Sequence, residues 1–240
     1  MSDRDLTKSQ ICITIDVDWA PDEIMLGLFE LMRDADLKAT IFATHDSPVL
    51  KSLDTERFEI GLHPNFNVRC ANVEDAVRPL KALYPQAQGA RSHSLHVSSA
   101  ILQLYLENGL TYESNAHLTL HEGLHPIIRY KGIVSIPMYW SDDTHFQLNR
   151  SFNLEELHLA EPGLKVLDFH PIHIFMNTSS AAHYEEYKHH YQEPEKLKDY
   201  INRGPGVGTL FQSLLAYIEN HRLPTYRLDD ICEQYVAGTR

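Results

Sequence analysis

Short apolar runs alternate with amphipathic segments along most of the chain. Residues 11–17, ICITIDV, are rich in β-branched side chains, which predicts a buried strand. Residues 21–36 begin with a proline, carry acids in the first turn and repeat apolar side chains at helical spacing, which predicts a helix. The same patterns predict strands at 38–44, 57–63, 88–93, 110–116, 132–140 and 164–171, and helices at 72–84, 98–109 and 207–221.

This alternation predicts the fold class. Strand and helix units in turn favour parallel pairing through crossover helices, and therefore a barrel-like α/β domain. No linker, repeat or low-complexity segment divides the chain, so we expect a single domain over residues 1–240. Residues 174–206 are too polar for a core, and we expect them to form an irregular excursion near the site or a peripheral helix.

Polar side chains collect where the predicted strands end. In α/β folds the carboxyl ends of strands carry the chemistry. Six predicted ends carry histidine, aspartate or arginine: Asp16 with Asp18, His45 with Asp46, His63, Arg91 with His93, Asp142 with Asp143, and His170 with His173. The chain also holds 15 histidines, the commonest metal ligand in proteins. These ends together indicate one shared site.

The spacing of three of these residues indicates a metal. Asp16 and Asp18 share a face of the strand, and two adjacent carboxylates are costly unless one binds a metal or faces a cation. His63 and Asn67 are four apart, which places them on one face if a helical turn starts after Pro64. Asp18, His63 and Asn67 would then form a three-ligand site with room for water, typical of catalytic metal sites.

Several short motifs occur together in a fixed order. TIDVD, KATIF, EIGLHPNFN, GARSHS and LDFHP follow one another between residues 11 and 173. This set resembles the polysaccharide deacetylases of the NodB-homology type, carbohydrate esterase family 4. The resemblance implies a deformed (β/α)-barrel of about seven strands, a divalent metal that is usually zinc, and hydrolysis of an acyl group on a sugar.

The resemblance also implies a role for each matched residue. Asp16 corresponds to the general base, Arg91 to the partner that tunes it, and His170 to the general acid. Asp142 or Asp143 corresponds to the acid that orients the histidine. Asp18 and His63 correspond to metal ligands.

Asn67 departs from the family pattern, which has a second histidine at that position. An amide oxygen is a weaker zinc ligand than an imidazole nitrogen. His93 and His45 are therefore alternatives that could complete the ligand set.

Aromatic residues near the predicted strand ends have two interpretations. Trp19, Phe66, Tyr139 and Trp140 could form platforms for a sugar ring, or they could belong to the core. His173 could line the same wall as His170.

The charge and composition of the chain limit the binding partners and the cellular location that we expect. The net charge of −12 argues against nucleic acid, and a polyanionic substrate would need a locally basic site, for which Arg91 and Arg69 are candidates. We expect no signal peptide and no integral membrane segment, because no apolar h-region or 18-residue apolar window occurs. Three widely spaced cysteines fit a reducing compartment, and we expect a cytoplasmic location.

The expected function is removal of an N-acetyl or similar amide group from a sugar during surface-polysaccharide (O-antigen or lipopolysaccharide) biosynthesis. Two alternatives stay open. One is a small-molecule amidohydrolase of the same fold. The other is a catalytically inactive carbohydrate-binding homologue, which Asn67 favours. The sequence leaves the substrate, the identity of the metal and the oligomeric state open.

Overall fold

A single curled sheet forms the centre of the molecule. The computed structural model describes residues 8–67 and 73–239, and within them nine strands pair in the order β6-β7-β5-β4-β3-β2-β1-β9-β8. The strands are β1 (Ser9–Asp16), β2 (Ala39–Ala43), β3 (Phe58–Leu62), β4 (Gly89–Ala90), β5 (Tyr112–Glu113), β6 (Ile127–Ile128), β7 (Val134–Ser135), β8 (Trp140–Ser141) and β9 (Gly163–Phe169). All neighbouring strands are parallel apart from β6 and β7.

Helices connect the strands and cover the sheet. In the described ranges they are α1 (Asp22–Asp34), α2 (Pro48–Lys51), α3 (Arg78–Leu83), α4 (Ser99–Glu107), α5 (Asp142–Gln147), α6 (Pro171–Met176), α7 (Ala181–Tyr187), α8 (Pro194–Leu197), α9 (Val207–His221) and α10 (Leu228–Gly238). The predicted helices at 21–36, 98–109 and 207–221 correspond to α1, α4 and α9. Helix α1 follows the prediction closely, with Met25, Leu28 and Met32 buried at helical spacing.

The segment 134–141 joins the two sides of the curled sheet. Strand β7 pairs with β5, whereas β8, a few residues later, pairs with β9 on the other side. Between them Met138 bridges to His117, and the N–H of Tyr139 donates to the carbonyl of Val166 (2.9 Å). Pro137 lacks an N–H, which explains why the predicted strand at 132–140 is broken there.

This break reconciles the number of strands with the barrel that the motifs imply. If β7 and β8 are taken as one bent strand, and the antiparallel β6 is set aside, seven parallel strands remain. The expected α/β class and deformed barrel are therefore confirmed.

Strand β1 shows how the barrel separates apolar from polar side chains. Ile11, Ile13 and Ile15 are buried in the main hydrophobic core. Thr14 and Asp16 lie on the opposite face and contact polar side chains inside the barrel. The interior is thus polar towards the carboxyl end of the strands, where the site residues lie.

The polar excursion at 174–206 is mostly helical. It contains the end of α6, all of α7 and α8, and 3₁₀ turns at Lys188–His190 and Lys198–Tyr200. Tyr187 and Leu197 are its buried anchors, and they pack in a small separate cluster with Ile24 of α1 and Ile172 and Met176 of α6. Among the described helices, none has both the length and the apolar character needed to cross a membrane.

Candidate active site

Polar residues from the strand ends meet around a small cavity. It has a volume of about 140 Å³. Its lining includes Asp16, Asp18, His63, His93, Asp168 and His170. Residues that are far apart in the sequence are therefore brought together at the carboxyl ends of β1, β3, β4 and β9, as the strand-end pattern predicts.

Asp18, His63 and His93 form the centre of this group. Asp18 Oδ1 lies 3.1 Å from Nε2 of His63 and 3.0 Å from Nδ1 of His93. One ligand atom from each of the three residues lies within 4.8 Å of the others. Two imidazoles and a carboxylate are a donor set that catalytic zinc sites use, so these residues fit a zinc ion.

The charges in this group support one another. Burial would raise the pKa of Asp18, but hydrogen bonds from His63 and His93 hold it well below its usual value. Burial would lower the pKa of His63, but the carboxylates of Asp16 and Asp18 raise it. The Nδ1 atom of His63 is buried without a hydrogen bond and faces Asp16 Oδ2 at 3.7 Å. The group therefore attracts positive charge to the place where a cation would lie.

Unusual backbone conformations occur at Asp18 and directly after His93. Asp18 and Trp19 both adopt positive φ angles, 41° and 58°, immediately after β1. Ser94 and Leu95, which follow His93, do the same with 58° and 56°. Left-handed backbone at residues other than glycine is costly and collects at functional sites. Asp18 itself lies in one of these two turns, and His93 directly precedes the other.

Asn67 is engaged elsewhere. Its Nδ2 donates to Ser94 Oγ (2.9 Å), and its Oδ1 accepts from Nε2 of His96. The expected helical turn after Pro64 is wrong, because residues 64–67 are described and have no helical conformation. The spacing argument for Asn67 as a ligand therefore does not hold, and His93 occupies the place beside Asp18.

Two further candidates remain, His45 as an alternative ligand and Arg69 as a cation near the site. Nδ1 of His45 lies within hydrogen-bond distance of Thr44 Oγ1 (2.9 Å). Arg69 is outside the described residues.

Arg91 is fully buried and joins two carboxylates. Its Nη1 donates to Asp16 Oδ1 (2.9 Å), to Thr14 Oγ1 (2.9 Å) and to Asp168 Oδ1. Nε and Nη2 donate to the carbonyl and the hydroxyl of Ser114, both at 3.0 Å. The guanidinium is thus held on all sides, and it positions Asp16 at the cavity.

Asp168 is a site residue that sequence reasoning missed. Burial raises its pKa well above the usual value, and the nearby Asp16 carboxylate acts in the same direction, although Arg91 opposes both. The available signal was its position two residues before His170, because alternate residues of a strand share a face. His117, which also lines the cavity, directly follows the predicted strand at 110–116 and was missed in the same way.

Asp142 holds His170 from two directions. Its Oδ1 lies 2.7 Å from Nδ1 of His170, and its Oδ2 accepts the backbone N–H of the same residue at 2.8 Å. Burial would lower the pKa of His170, but Asp142 raises it well above its usual value. Nε2 of His170 faces Asp18 Oδ2 at 3.6 Å. Of the two adjacent acids, Asp142 contacts this histidine, whereas Asp143 lines the cavity and bonds Ser141 and Thr144.

Two of the predicted sugar platforms are core residues. Tyr139 and Trp140 are both 0 % exposed. The Tyr139 hydroxyl donates to the carbonyl of Leu157 (3.2 Å), and Trp140 Nε1 donates to Nδ1 of His145 (2.9 Å). A fully buried ring has no face for a ligand, so the prediction that these rings bind substrate is corrected.

The remaining substrate-binding candidates lie on either side of the site. Trp19 is 38 % exposed, and its ring meets that of His93 edge-on at 5.2 Å. His173 is buried behind His170, with ring centroids 5.4 Å apart, and its Nδ1 contacts Thr178 and Tyr187. Burial lowers the pKa of His173 to about 4, so the His173 ring is neutral near pH 7. It packs behind His170 and does not line the cavity.

A comparison with known protein families gives a match over most of the chain. The model of one family, described as WbmS-like polysaccharide deacetylase, matches residues 13–188. The chain belongs to this family. The resemblance to polysaccharide deacetylases that the motifs indicate is thereby confirmed.

Solved structures agree with the assignment. A Bordetella bronchiseptica protein, assigned as a polysaccharide deacetylase involved in O-antigen biosynthesis, is 33 % identical with a TM-score of 0.82, and the match covers 88 % of this chain and 91 % of that one. A polysaccharide deacetylase assigned in Mycobacterium smegmatis is 16 % identical with a TM-score of 0.62, covers 100 % and 94 %, and shows the shared fold alone. A comparison with curated proteins gives no match.

Proposed function

We propose that this WbmS-like chain is a zinc-dependent hydrolase that removes an N-acetyl or similar amide group from a sugar. The observation that carries the proposal is the Asp18–His63–His93 group, with Asp16 on one side and His170 on the other. The B. bronchiseptica relative, assigned to O-antigen biosynthesis, supports a role in surface-polysaccharide assembly. We place the reaction in the cytoplasm, on an activated or lipid-linked sugar.

Asp18, His63 and His93 would hold the ion. A zinc ion bound there would polarise an acyl carbonyl and make a water molecule more acidic. Asp18 has the carboxylate oxygens and the lowered pKa that a ligand needs, and both histidines offer a ring nitrogen to the same point. The second ring nitrogen of His63 faces Asp16, which fits the outer partner that a ligating histidine usually has.

Asp16 would act as the general base. Arg91 Nη1 donates to its Oδ1, which fixes the position of the carboxylate. Its Oδ2 is the oxygen on the side of His63. A water molecule that attacks the acyl carbon from the cavity could therefore transfer its proton to Oδ2.

His170 would act as the general acid. Because Asp142 binds Nδ1 and raises the pKa, the ring keeps a proton on Nε2 near neutral pH. That nitrogen faces the ligand group, so it could protonate the amine nitrogen as the C–N bond breaks. Asp16 and His170 thus divide the two proton transfers that amide hydrolysis requires.

The test combines metal content with release of acetate. The purified chain, loaded with zinc, is assayed on free, nucleotide-linked and lipid-linked N-acetylated sugars, and we expect about one zinc per chain together with turnover. Asp18→Ala should lose both. Asp46→Ala, which removes an exposed acid paired with Lys51, is the control and should keep both.

Two outcomes would contradict the proposal. If Asp18→Ala keeps a full complement of zinc, the ligand assignment is wrong. If the zinc-loaded chain releases acetate from none of the sugars, the hydrolase function fails, and the inactive carbohydrate-binding alternative is favoured.

A further inference from the structure

The walls of the catalytic cavity, which contains the proposed ligands, base and acid, are mostly polar. Besides those residues, its lining includes two apolar side chains, Leu95 and Met138. The other lining side chains are polar, and they include the acids Asp143 and Asp168 and the imidazole of His117. The proposed function gives none of these three a role. An acetyl group in this cavity would therefore have few apolar side chains for its methyl group to contact.

The volume of the cavity limits how much of a substrate can enter it. Pockets that enclose a drug-sized ligand measure about 300–1,000 Å³. The catalytic cavity measures about 140 Å³, and Asp18, His63 and His93 are part of its lining. If the proposed function holds, the part of the substrate that reaches these ligands is the acyl group with its amide bond. Asp143 and Asp168 then lie beside the acyl group rather than beside the rest of the sugar.

Asp143 uses one carboxylate oxygen for the fold and leaves the other free. Its Oδ1 accepts from the hydroxyl of Ser141 and from the N–H of Thr144 (2.6 Å), at the start of α5. Its Oδ2 accepts no hydrogen bond from the described residues. The residue is partly exposed and lines the cavity. The carboxylate is thus held in place by one oxygen, while the second is available to a ligand.

The charge of Asp143 makes this second oxygen an acceptor only. Burial would raise the pKa of Asp143, but His170 and the hydrogen bond from Ser141 bring it below its usual value. An ionised carboxylate accepts hydrogen bonds and donates none. Burial lowers the pKa of His117, although Asp143 acts in the opposite direction, so this lining ring is neutral near pH 7.

An apolar acyl group would leave the free oxygen of Asp143 without a partner. A polar group that loses water on binding and gains no hydrogen bond costs free energy, and a charged group costs more than a neutral one. A site built to hydrogen-bond its substrate therefore rejects analogues that lack the matching group. A hydroxyl or ammonium group on the acyl chain supplies the donor that a methyl group cannot.

We propose that the acyl group removed by this chain carries a hydrogen-bond donor, a hydroxyl or an ammonium group, on the carbon next to its carbonyl, and that Asp143 Oδ2 accepts from it. Asp143 would determine specificity and take no part in the proton transfers. Water supplies the new C–O bond and the proton of the amine as the C–N bond breaks, so the products are a hydroxy or amino acid and a sugar amine.

This inference rests on the proposed function, because it specifies the acyl group of the same reaction. Acetyl amides would also be hydrolysed, but about 10–100-fold less efficiently, which is the size of one hydrogen bond to a charged group.

The test compares acyl chains of equal length in the absence of a sugar. The probes are three hydroxamates, which chelate zinc through their two oxygens. Glycolohydroxamate ends in a hydroxyl, glycine hydroxamate in an ammonium group, and propionohydroxamate in a methyl group at the same position. Calorimetry measures their binding to the zinc-loaded chain. We expect at least one donor-bearing probe to bind about 10–100-fold more tightly than propionohydroxamate, and the tighter of the two identifies the donor.

Asp143→Asn locates the contact. The amide keeps an oxygen for Ser141 and Thr144 but replaces the free acceptor with a donor, so the preference over propionohydroxamate should disappear. Zinc content and the affinity for propionohydroxamate should not change, whereas a general loss of structure would lower both. Asp22→Asn is the matched control, because Asp22 also begins a helix and accepts from a serine, Ser47 Oγ (2.6 Å), but does not line the cavity. It should keep the preference.

Three results would overturn the inference: propionohydroxamate binds as tightly as the donor-bearing probes, none of the probes binds, or the preference survives in Asp143→Asn. The outcome is separate from that of the proposed function. If the donor-bearing probes bind as expected but no amide is hydrolysed, the proposed function fails and the specificity of the cavity stands. If acetyl amides are hydrolysed while the three probes bind equally, the proposed function stands and this inference fails.

Discussion

Two groups of buried carboxylates lie at opposite ends of the barrel. The rim cluster consists of Asp16, Arg91 and Asp168, and its acids line the catalytic cavity. The second cluster, which we call the Glu59 cluster, consists of Glu59 with Thr40, Tyr112 and the N-terminus of α10. Glu59 accepts from the Tyr112 hydroxyl (2.6 Å), from Thr40 Oγ1 (2.8 Å) and from the N–H of Asp229 (3.0 Å).

The partners of the acids distinguish the two clusters. The rim acids share a buried guanidinium and open onto a cavity with metal-ligating side chains. Glu59 is held by neutral donors and fixes the start of α10, where Leu228 also donates to Thr40. Burial alone therefore does not indicate catalysis. The motif EIGLH contains both kinds of residue, with Glu59 as a structural acid and His63 as a site residue on the same stretch of chain.

The largest effect is expected from the third metal ligand. His93→Ala should reduce zinc affinity by more than about 100-fold, because a direct ligand is worth at least as much as the outer partners that tune it. Asn67→Ala should change it far less, since its amide bonds Ser94 and His96. Zinc titration with a competing chelator measures both. The opposite ranking would return Asn67 to the ligand set.

Replacing one acid in each cluster should separate chemistry from structure. Asp16→Asn removes the proposed base and should lower turnover by about 10²–10⁴-fold while zinc content is unchanged. Glu59→Gln should leave turnover close to that of the wild type. Steady-state rates and metal analysis of the same preparations test this. Similar losses in both variants would remove the distinction between the clusters.

Removing the shared cation should destabilise the fold. Arg91→Met leaves the buried acids Asp16 and Asp168 without the cation that they share, and breaking a buried ion pair typically costs about 3–5 kcal/mol in the free energy of unfolding. Urea unfolding measures it. The control is Arg78→Met, which breaks an exposed pair with Glu74 and should cost less than about 1 kcal/mol. A loss below 1 kcal/mol for Arg91→Met would show that the acids do not depend on the guanidinium.

Local patterns were sufficient for the strand ends. Asp16, His63, Arg91 and His170 were predicted because each directly follows or ends a short apolar run, and parallel strands bring such positions to one edge. The alternation of strands and helices predicted the barrel for the same reason.

Tertiary contacts decided what local patterns could not. Tyr139 and Trp140 follow a strand pattern, but the segment that contains them crosses between the two sides of the sheet, so both rings are enclosed. His93 contacts Asp18 although the two residues follow different strands, β4 and β1, and no spacing rule encodes such a contact. The prediction that Asn67 is a ligand depends on a helical turn after Pro64, and the backbone there is not helical.

The smallest expected effect is the contribution of the Glu59 cluster to the pH dependence of the free energy of unfolding. Burial, followed by the Asp229 carboxylate, raises the pKa of Glu59 from its ordinary 4.5 to about 7. Between these values the folded chain holds a proton that the unfolded chain has lost. Stability therefore falls as the pH rises through this window, by about 1–3 kcal/mol.

Glu59→Gln keeps the shape of the side chain and cannot titrate, so it should remove this part of the decline. Urea unfolding of the variant and the wild type at pH 5 and pH 7.5 gives the difference. Glu56→Gln, at an exposed position three residues earlier, should leave the decline unchanged. An equal decline in Glu59→Gln and in the wild type would mean that Glu59 is ionised at pH 5. Its contacts with Tyr112 and Thr40 would then stabilise a buried charge, and the Glu59 cluster would resemble the rim cluster.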